Sequence, residues 1–138
     1  MKKQEENNKL FDSIKEDEIS FPIYYKNRRG NMYTCLLNED KFEQLTTSTD
    51  GESFRGSILF GFNEQFKLYK DIKLMYHSII RMNSIITPDE YDTIFNAIQQ
   101  GRQEFFSEDK YEYIEPVHQL TQDQLNKYIK HKWKKPQP

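Results

Sequence analysis

Residues 19–37 decide the fold, and their sequence is ISFPIYYK, then NRRGN, then MYTCLL. The outer parts are rich in β-branched and aromatic residues, which favour strands, whereas Asn, Arg and Gly between them are typical of a turn. The pattern predicts a β-hairpin with a five-residue loop at residues 27–31. Because Pro22 has no amide hydrogen for a ladder, we expect the first strand at a sheet edge or Pro22 on an outward position.

Two more strands are predicted beyond the hairpin, one at residues 57–62 and a weaker one at residues 111–117. Between the hairpin and the first of these, Asn38 followed by acidic residues predicts a short helix over residues 39–45, because Asn caps helices and acids favour their first turn. A loop is expected over residues 46–51.

Three longer helices are predicted after residue 62, and the first is marked by an apolar stripe with helical spacing: Leu68, Ile72, Met75, Ile79 and Met82. Thr87 followed by Pro88 is typical of a helix start. Thr121 with Gln124 forms a capping-box pattern before the last helix. We therefore expect an α+β fold, with a small antiparallel sheet packed against two or three amphipathic helices.

The chain length of 138 residues suits one domain. We expect a disordered segment at residues 1–9, a single domain over residues 10–133 and a tail at residues 134–138. The abundance of Lys, Ile, Asn, Phe and Tyr indicates an AT-rich genome, which is typical of low-GC bacteria, their phages and their mobile elements. Together with the small size of the chain, it leads us to expect a phage or mobile-element origin.

Several classes of function find no support in the residues. The lone Cys35 cannot form an intramolecular disulfide, and no apolar run marks a signal peptide or a membrane span. His77, His118 and His131 match no metal-ligand spacing, and no nucleotide-binding or hydrolase motif occurs. The sequence therefore predicts a cytoplasmic, non-catalytic protein without metal or cofactor.

The hairpin supplies the candidate site, because it places aromatic residues beside cations. These candidate partner-binding residues are Tyr25, Lys26, Arg28, Arg29 and Tyr33. A secondary basic patch comprises Lys127, Lys130, Trp133 and Lys134. Aromatic residues and arginine are common in protein interfaces. The main hypothesis is an inhibitor or adaptor that binds another protein.

The alternative is a nucleic-acid-binding protein, because exposed rings stack on bases and cations contact phosphates. A homodimer also stays open, since the stripe over residues 68–82 suits either a core helix or a dimer seam. The charges occur in blocks, with three cations and no acid in residues 19–37. These blocks either pair within one chain or select a partner by sign.

Overall fold

A computed structural model describes residues 9–38, 41–49, 54–62 and 71–132 of the protein. Its strands are β1 (Ile23–Asn27), β2 (Met32–Leu36), β3 (Lys41–Thr49), β4 (Phe54–Phe62) and β5 (Asn83–Ile85). Its longer helices are α1 (Ile72–Met82), α2 (Pro88–Phe105) and α3 (Gln122–Lys132), and short 3-10 turns lie at Glu16–Glu18 and Val117–Gln119. The strands form one antiparallel sheet in the order β4-β3-β2-β1-β5. The predicted α+β fold is confirmed.

The predicted hairpin is β1 paired with β2, with Tyr25 opposite Thr34. Its loop is one residue shorter than predicted, because β1 extends to Asn27. The Asn27 Oδ1 accepts hydrogen bonds from the amides of Asn31 and Met32, at 3.1 and 3.2 Å. The loop also contains Gly30 at φ 72°, a conformation that residues with a side chain rarely adopt. The turn residues therefore fix the register of the hairpin.

The predicted helix is wrong over residues 41–45, and the predicted loop is wrong over residues 46–49, because both stretches belong to β3. Residues 39–40 and 50–51 of these two predictions lie outside the described part of the chain. The Asn38 Oδ1 does accept a hydrogen bond from the Lys41 amide, at 3.0 Å, but this bond closes the turn between β2 and β3. The sequence of β3 does not show the alternation of apolar and polar residues that marks a strand, because the charged Glu43 lies on its buried face. β4 also begins three residues before the predicted strand at residues 57–62.

The strand predicted at residues 111–117 is also wrong, since residues 111–116 join no sheet. The side chain of Gln99 on α2 takes the place of a neighbouring strand, with Nε2 donating to the Ile114 carbonyl at 2.7 Å. β5 was not predicted, because three residues are too few to show alternation. β1 lies between β2 and β5 rather than at an edge, and the constraint from Pro22 does not apply because β1 begins after it.

Helices cover both faces of the sheet. On one face α2 and α3 enclose a buried cluster of Tyr33, Cys35, Leu37, Leu45, Ile86, Tyr91, Phe95, Ile98, Val117 and Leu125. On the other face α1 packs through Met75 and Ile79 onto Ile23, Tyr25 and Leu36. Met75 and Ile79 of the apolar stripe therefore belong to the core, and Ile72 packs against it, whereas Met82 at the end of α1 is 59% exposed.

Both predicted helix starts are confirmed. The Thr87 Oγ1 accepts a hydrogen bond from the Glu90 amide at 3.1 Å, with Pro88 as the first residue of α2. Thr121 and Gln124 bond reciprocally before α3, each side chain accepting from the other residue's amide at 3.2 and 3.0 Å. These bonds satisfy amide groups that the first helical turn leaves free.

Several predictions fall on residues outside the described part of the chain. They concern the disorder of residues 1–8, the position of Leu68, the role of Trp133 and the tail at residues 134–138. Within the described part, no helix is long and apolar enough to cross a membrane.

A close contact at Gly56 sets the distance between β4 and α2. A Cβ atom at this position would lie 2.6 Å from the Thr46 carbonyl oxygen and 2.9 Å from the Ile98 Cγ1. We predict that Gly56→Ala lowers the free energy of unfolding by about 1–3 kcal/mol, because the added methyl group overpacks the contact. Urea denaturation measures this loss. Ser57→Ala, an exposed neighbour, is the control, and an equally small effect of both variants would contradict the prediction.

Candidate functional site

The loop of the hairpin meets the end of α1. β5 begins at Asn83, which pairs with Asn27, so the two preceding residues lie beside the loop. The Arg28 Nη2 donates a hydrogen bond to the Arg81 carbonyl at 2.9 Å. We define the hairpin end as the exposed residues Arg28, Arg29, Met32, Arg81 and Met82.

The hairpin end combines positive charge with apolar surface. No carboxylate of the described residues forms an ion pair with any of its three arginines. Met32 is 36% exposed and Met82 is 59% exposed. Nearby, the Lys26 Nζ lies 3.3 Å from the Glu90 Oε1, so this lysine already has an acidic partner. The surface therefore presents guanidinium groups and thioether side chains together.

The structure separates the predicted aromatic residues from the predicted cations. Tyr25 and Tyr33 are both buried, in the clusters on opposite faces of the sheet. Burial raises the pKa of Tyr25 to about 12, although a hydrogen bond with Thr34 lowers it in part. Arg28 and Arg29 are exposed. Arg81 was missed, because it lies 53 residues from Arg28 in the sequence.

The secondary basic patch is described only in part. Lys127 and Lys130 are exposed on α3, and no described carboxylate pairs with either. Trp133 and Lys134 lie outside the described residues. The helix itself is held to the core by Leu125, which is 1% exposed.

A buried polar cluster, which we call the Glu43 cluster, joins the sheet to the helical layer through Glu43, Tyr91, Asp92 and His118. Glu43 is 1% exposed on β3. Its Oε1 accepts from the Tyr91 hydroxyl at 2.7 Å, and its Oε2 accepts from the Val117 amide at 3.0 Å. Both carboxylate oxygens are therefore bound to groups far away in the sequence.

His118 lies between two carboxylates. Its Nδ1 is 2.7 Å from the Glu43 Oε1, an ion-pair distance, but the N–H is not aligned for a hydrogen bond. Its Nε2 bonds with the Asp92 Oδ1, and Asp92 is 35% exposed. Burial alone lowers the pKa of His118, but the contacts with Glu43 and Asp92 outweigh it and the net pKa is raised. The imidazole can therefore hold a proton that both carboxylates stabilise.

Aromatic rings complete the surroundings of His118. The ring centroids of Tyr91 and Phe95 lie 4.8 and 5.0 Å from that of His118. The cluster attaches the 3-10 turn Val117–Gln119 to β3 and α2. Sequence reasoning missed it because Glu43 and His118 are distant in the chain and β3 was predicted as a helix. Had residues 41–49 been predicted as a strand, Glu43 would have fallen on its inward face, and a buried carboxylate would have indicated a polar cluster.

The Glu43 cluster makes stability depend on pH. Because the pKa of His118 is raised above the unfolded value of about 6.5, its stabilising effect is complete below that pH and is lost as the pH rises through the folded-state pKa. We predict that the free energy of unfolding falls as the pH rises from about 6.5 through the raised folded-state pKa of His118, as measured by urea denaturation. Asp92→Asn should shift the fall to lower pH and reduce it, because one stabilising carboxylate is gone.

The control for this prediction is Asp109→Asn, which removes an exposed carboxylate. It should leave the pH profile unchanged. If Asp92→Asn gave the profile of the unchanged chain, the assigned role of Asp92 would be wrong.

No metal centre emerges from the described residues, since they contain no group of three or more His, Cys, Asp or Glu side chains placed to hold an ion. Comparison of the chain with protein-family models, curated proteins and solved structures found no match. The exposed surfaces of the fold are therefore the basis for a functional proposal.

Proposed function

We propose that this protein is non-catalytic and acts by binding another protein through the hairpin end, as an inhibitor or adaptor does. One observation carries the proposal. Three exposed arginines and two exposed methionines lie on the hairpin and at the end of α1, which the bond from Arg28 to the Arg81 carbonyl joins. No described carboxylate forms an ion pair with these arginines. Arginine and methionine are enriched in protein interfaces. The positive charge favours an acidic surface on the partner.

The hairpin end is held in place before any partner binds. Asn27 fixes the loop through its side chain, and the ladder between β1 and β5 fixes the segment that carries Arg81. Arg28 already bonds to that segment. A prearranged surface loses less conformational entropy on binding, so more of the contact energy appears as affinity.

Burial of the tyrosines favours a protein partner over nucleic acid. Single-stranded nucleic acid binds to such surfaces largely by stacking its bases on exposed rings. Tyr25 is 9% exposed and Tyr33 is 8% exposed, so neither offers a ring face at the hairpin end. The nucleic-acid alternative keeps only the cations, among which Lys127 and Lys130 are exposed on α3. Contacts of that kind are lost steeply as salt increases.

The double variant Arg29→Glu with Arg81→Glu tests the proposal. Both side chains are exposed, so the fold should persist while two attractive charges become repulsive. We predict that partner affinity falls at least about 100-fold, since replacing a hot-spot arginine costs about 2 kcal/mol or more in binding free energy. The measurement is affinity purification of the tagged protein from its host, with quantitative mass spectrometry.

The matched control is Lys127→Glu with Lys130→Glu, which changes the net charge equally on an exposed face of α3. The proposal requires this control to retain the partner. Equal capture by the hairpin-end variant and the control would remove the hairpin end from the account. Co-purified nucleic acid that dissociates as salt rises, and that the α3 control no longer binds, would support the alternative.

A further inference from the structure

A second exposed surface lies where α2 ends. Phe105 is 72% exposed, Phe106 is 38% exposed and Tyr113 is 66% exposed. The two phenylalanine rings meet edge to face, with their centroids 5.2 Å apart. Contiguous apolar surface left in water is typical of an interaction site.

The rings stand on a fixed base. The Arg102 guanidinium donates to the Glu112 carbonyl at 3.1 Å, and Gln99 donates to the Ile114 carbonyl at 2.7 Å. The Tyr111 hydroxyl donates in turn to the Gln99 Oε1 at 3.1 Å. These bonds hold the segment after α2 against the helix, and they place Tyr113 near its end. The surface is therefore formed before any partner binds, which lowers the entropy cost of binding.

Negative charge surrounds the rings. Residues 104–113 carry four exposed carboxylates against the single Lys110: Glu104, Glu108, Asp109 and Glu112. No described cation forms an ion pair with any of them. We call the three aromatic residues and these four acids the acidic aromatic surface. Its charge repels phosphate groups and attracts lysine and arginine.

The chain itself shows how a cation contacts this surface. The Arg102 guanidinium carbon lies 5.5 Å from the centroid of the Phe106 ring. Guanidinium groups bind to aromatic faces through the ring quadrupole, and arginine does so more often than lysine. Phe105 and Tyr113 present further rings to solvent, beside carboxylates that could pair with the same cations.

From this combination we propose that the acidic aromatic surface binds an arginine- and lysine-rich segment of a partner polypeptide. Rings contact the cationic side chains while the surrounding carboxylates pair with them. This inference goes beyond the function proposed for the hairpin end, because the two surfaces share no residue and have opposite charge.

A fluorescein-labelled nona-arginine peptide, added to the full chain at about 50 mM salt, tests the inference by fluorescence anisotropy. The chain should bind this peptide and should not bind nona-glutamate. The variant Phe105→Ser with Tyr113→Ser should weaken binding at least about ten-fold, since it removes ring contacts and leaves every charge in place.

The matched control is Leu59→Ser with Leu74→Ser, which removes two exposed apolar side chains elsewhere; they are 54% and 46% exposed. It should bind the peptide as the unchanged chain does. The inference fails if nona-arginine does not bind, or if the aromatic variant and the control bind equally. It also fails if sedimentation shows self-association that the aromatic variant abolishes, since a second copy would then occupy the surface.

Discussion

The carboxylate of Glu43 is the constraint on which the arrangement of the sheet and its helical layer depends. A buried charge costs several kcal/mol unless partners compensate it. Its partners come from α2 through Tyr91 and from the 3-10 turn through Val117 and His118. The compensation therefore requires these segments to occupy one position over β3. It also fixes which face of β3 points into the core, because Glu43 and Leu45 lie on the same face of this strand.

The elements that sequence reasoning predicted are those whose signals are local. The hairpin turn is closed by the side chain of Asn27, and the start of α2 by the side chain of Thr87, each acting within a few residues. β3 was missed because its inward charge is explained only by groups far along the chain. Residues 111–117 were predicted as a strand because they have the right composition, but Gln99 of α2 satisfies their backbone groups instead.

The candidate site was predictable only in part, because only its local features can be recognised in the sequence. The cations of the hairpin follow from its loop. Alternation alone would bury only one of Tyr25 and Tyr33, since they lie on opposite faces of the sheet, and both are buried because helices cover both faces. Arg81 could not have been found, because only the pairing of β5 with β1 brings it to the loop. Residues 87–117 form an acidic block with eight carboxylates. Among the described residues, Lys26 with Glu90 is the one ion pair between this block and the basic hairpin. Most charges of these two blocks thus face solvent, where partners can reach them.

Native-state hydrogen exchange at the Val117 amide tests the central role of Glu43 most directly. This amide belongs to no sheet, and its bond to the Glu43 carboxylate replaces a backbone partner. If that bond attaches the turn to the core, the amide should exchange with about the same opening free energy as the amide of Cys35 in β2. An opening free energy at the Val117 amide several kcal/mol below that at Cys35, as in a fraying segment, would contradict this role of Glu43.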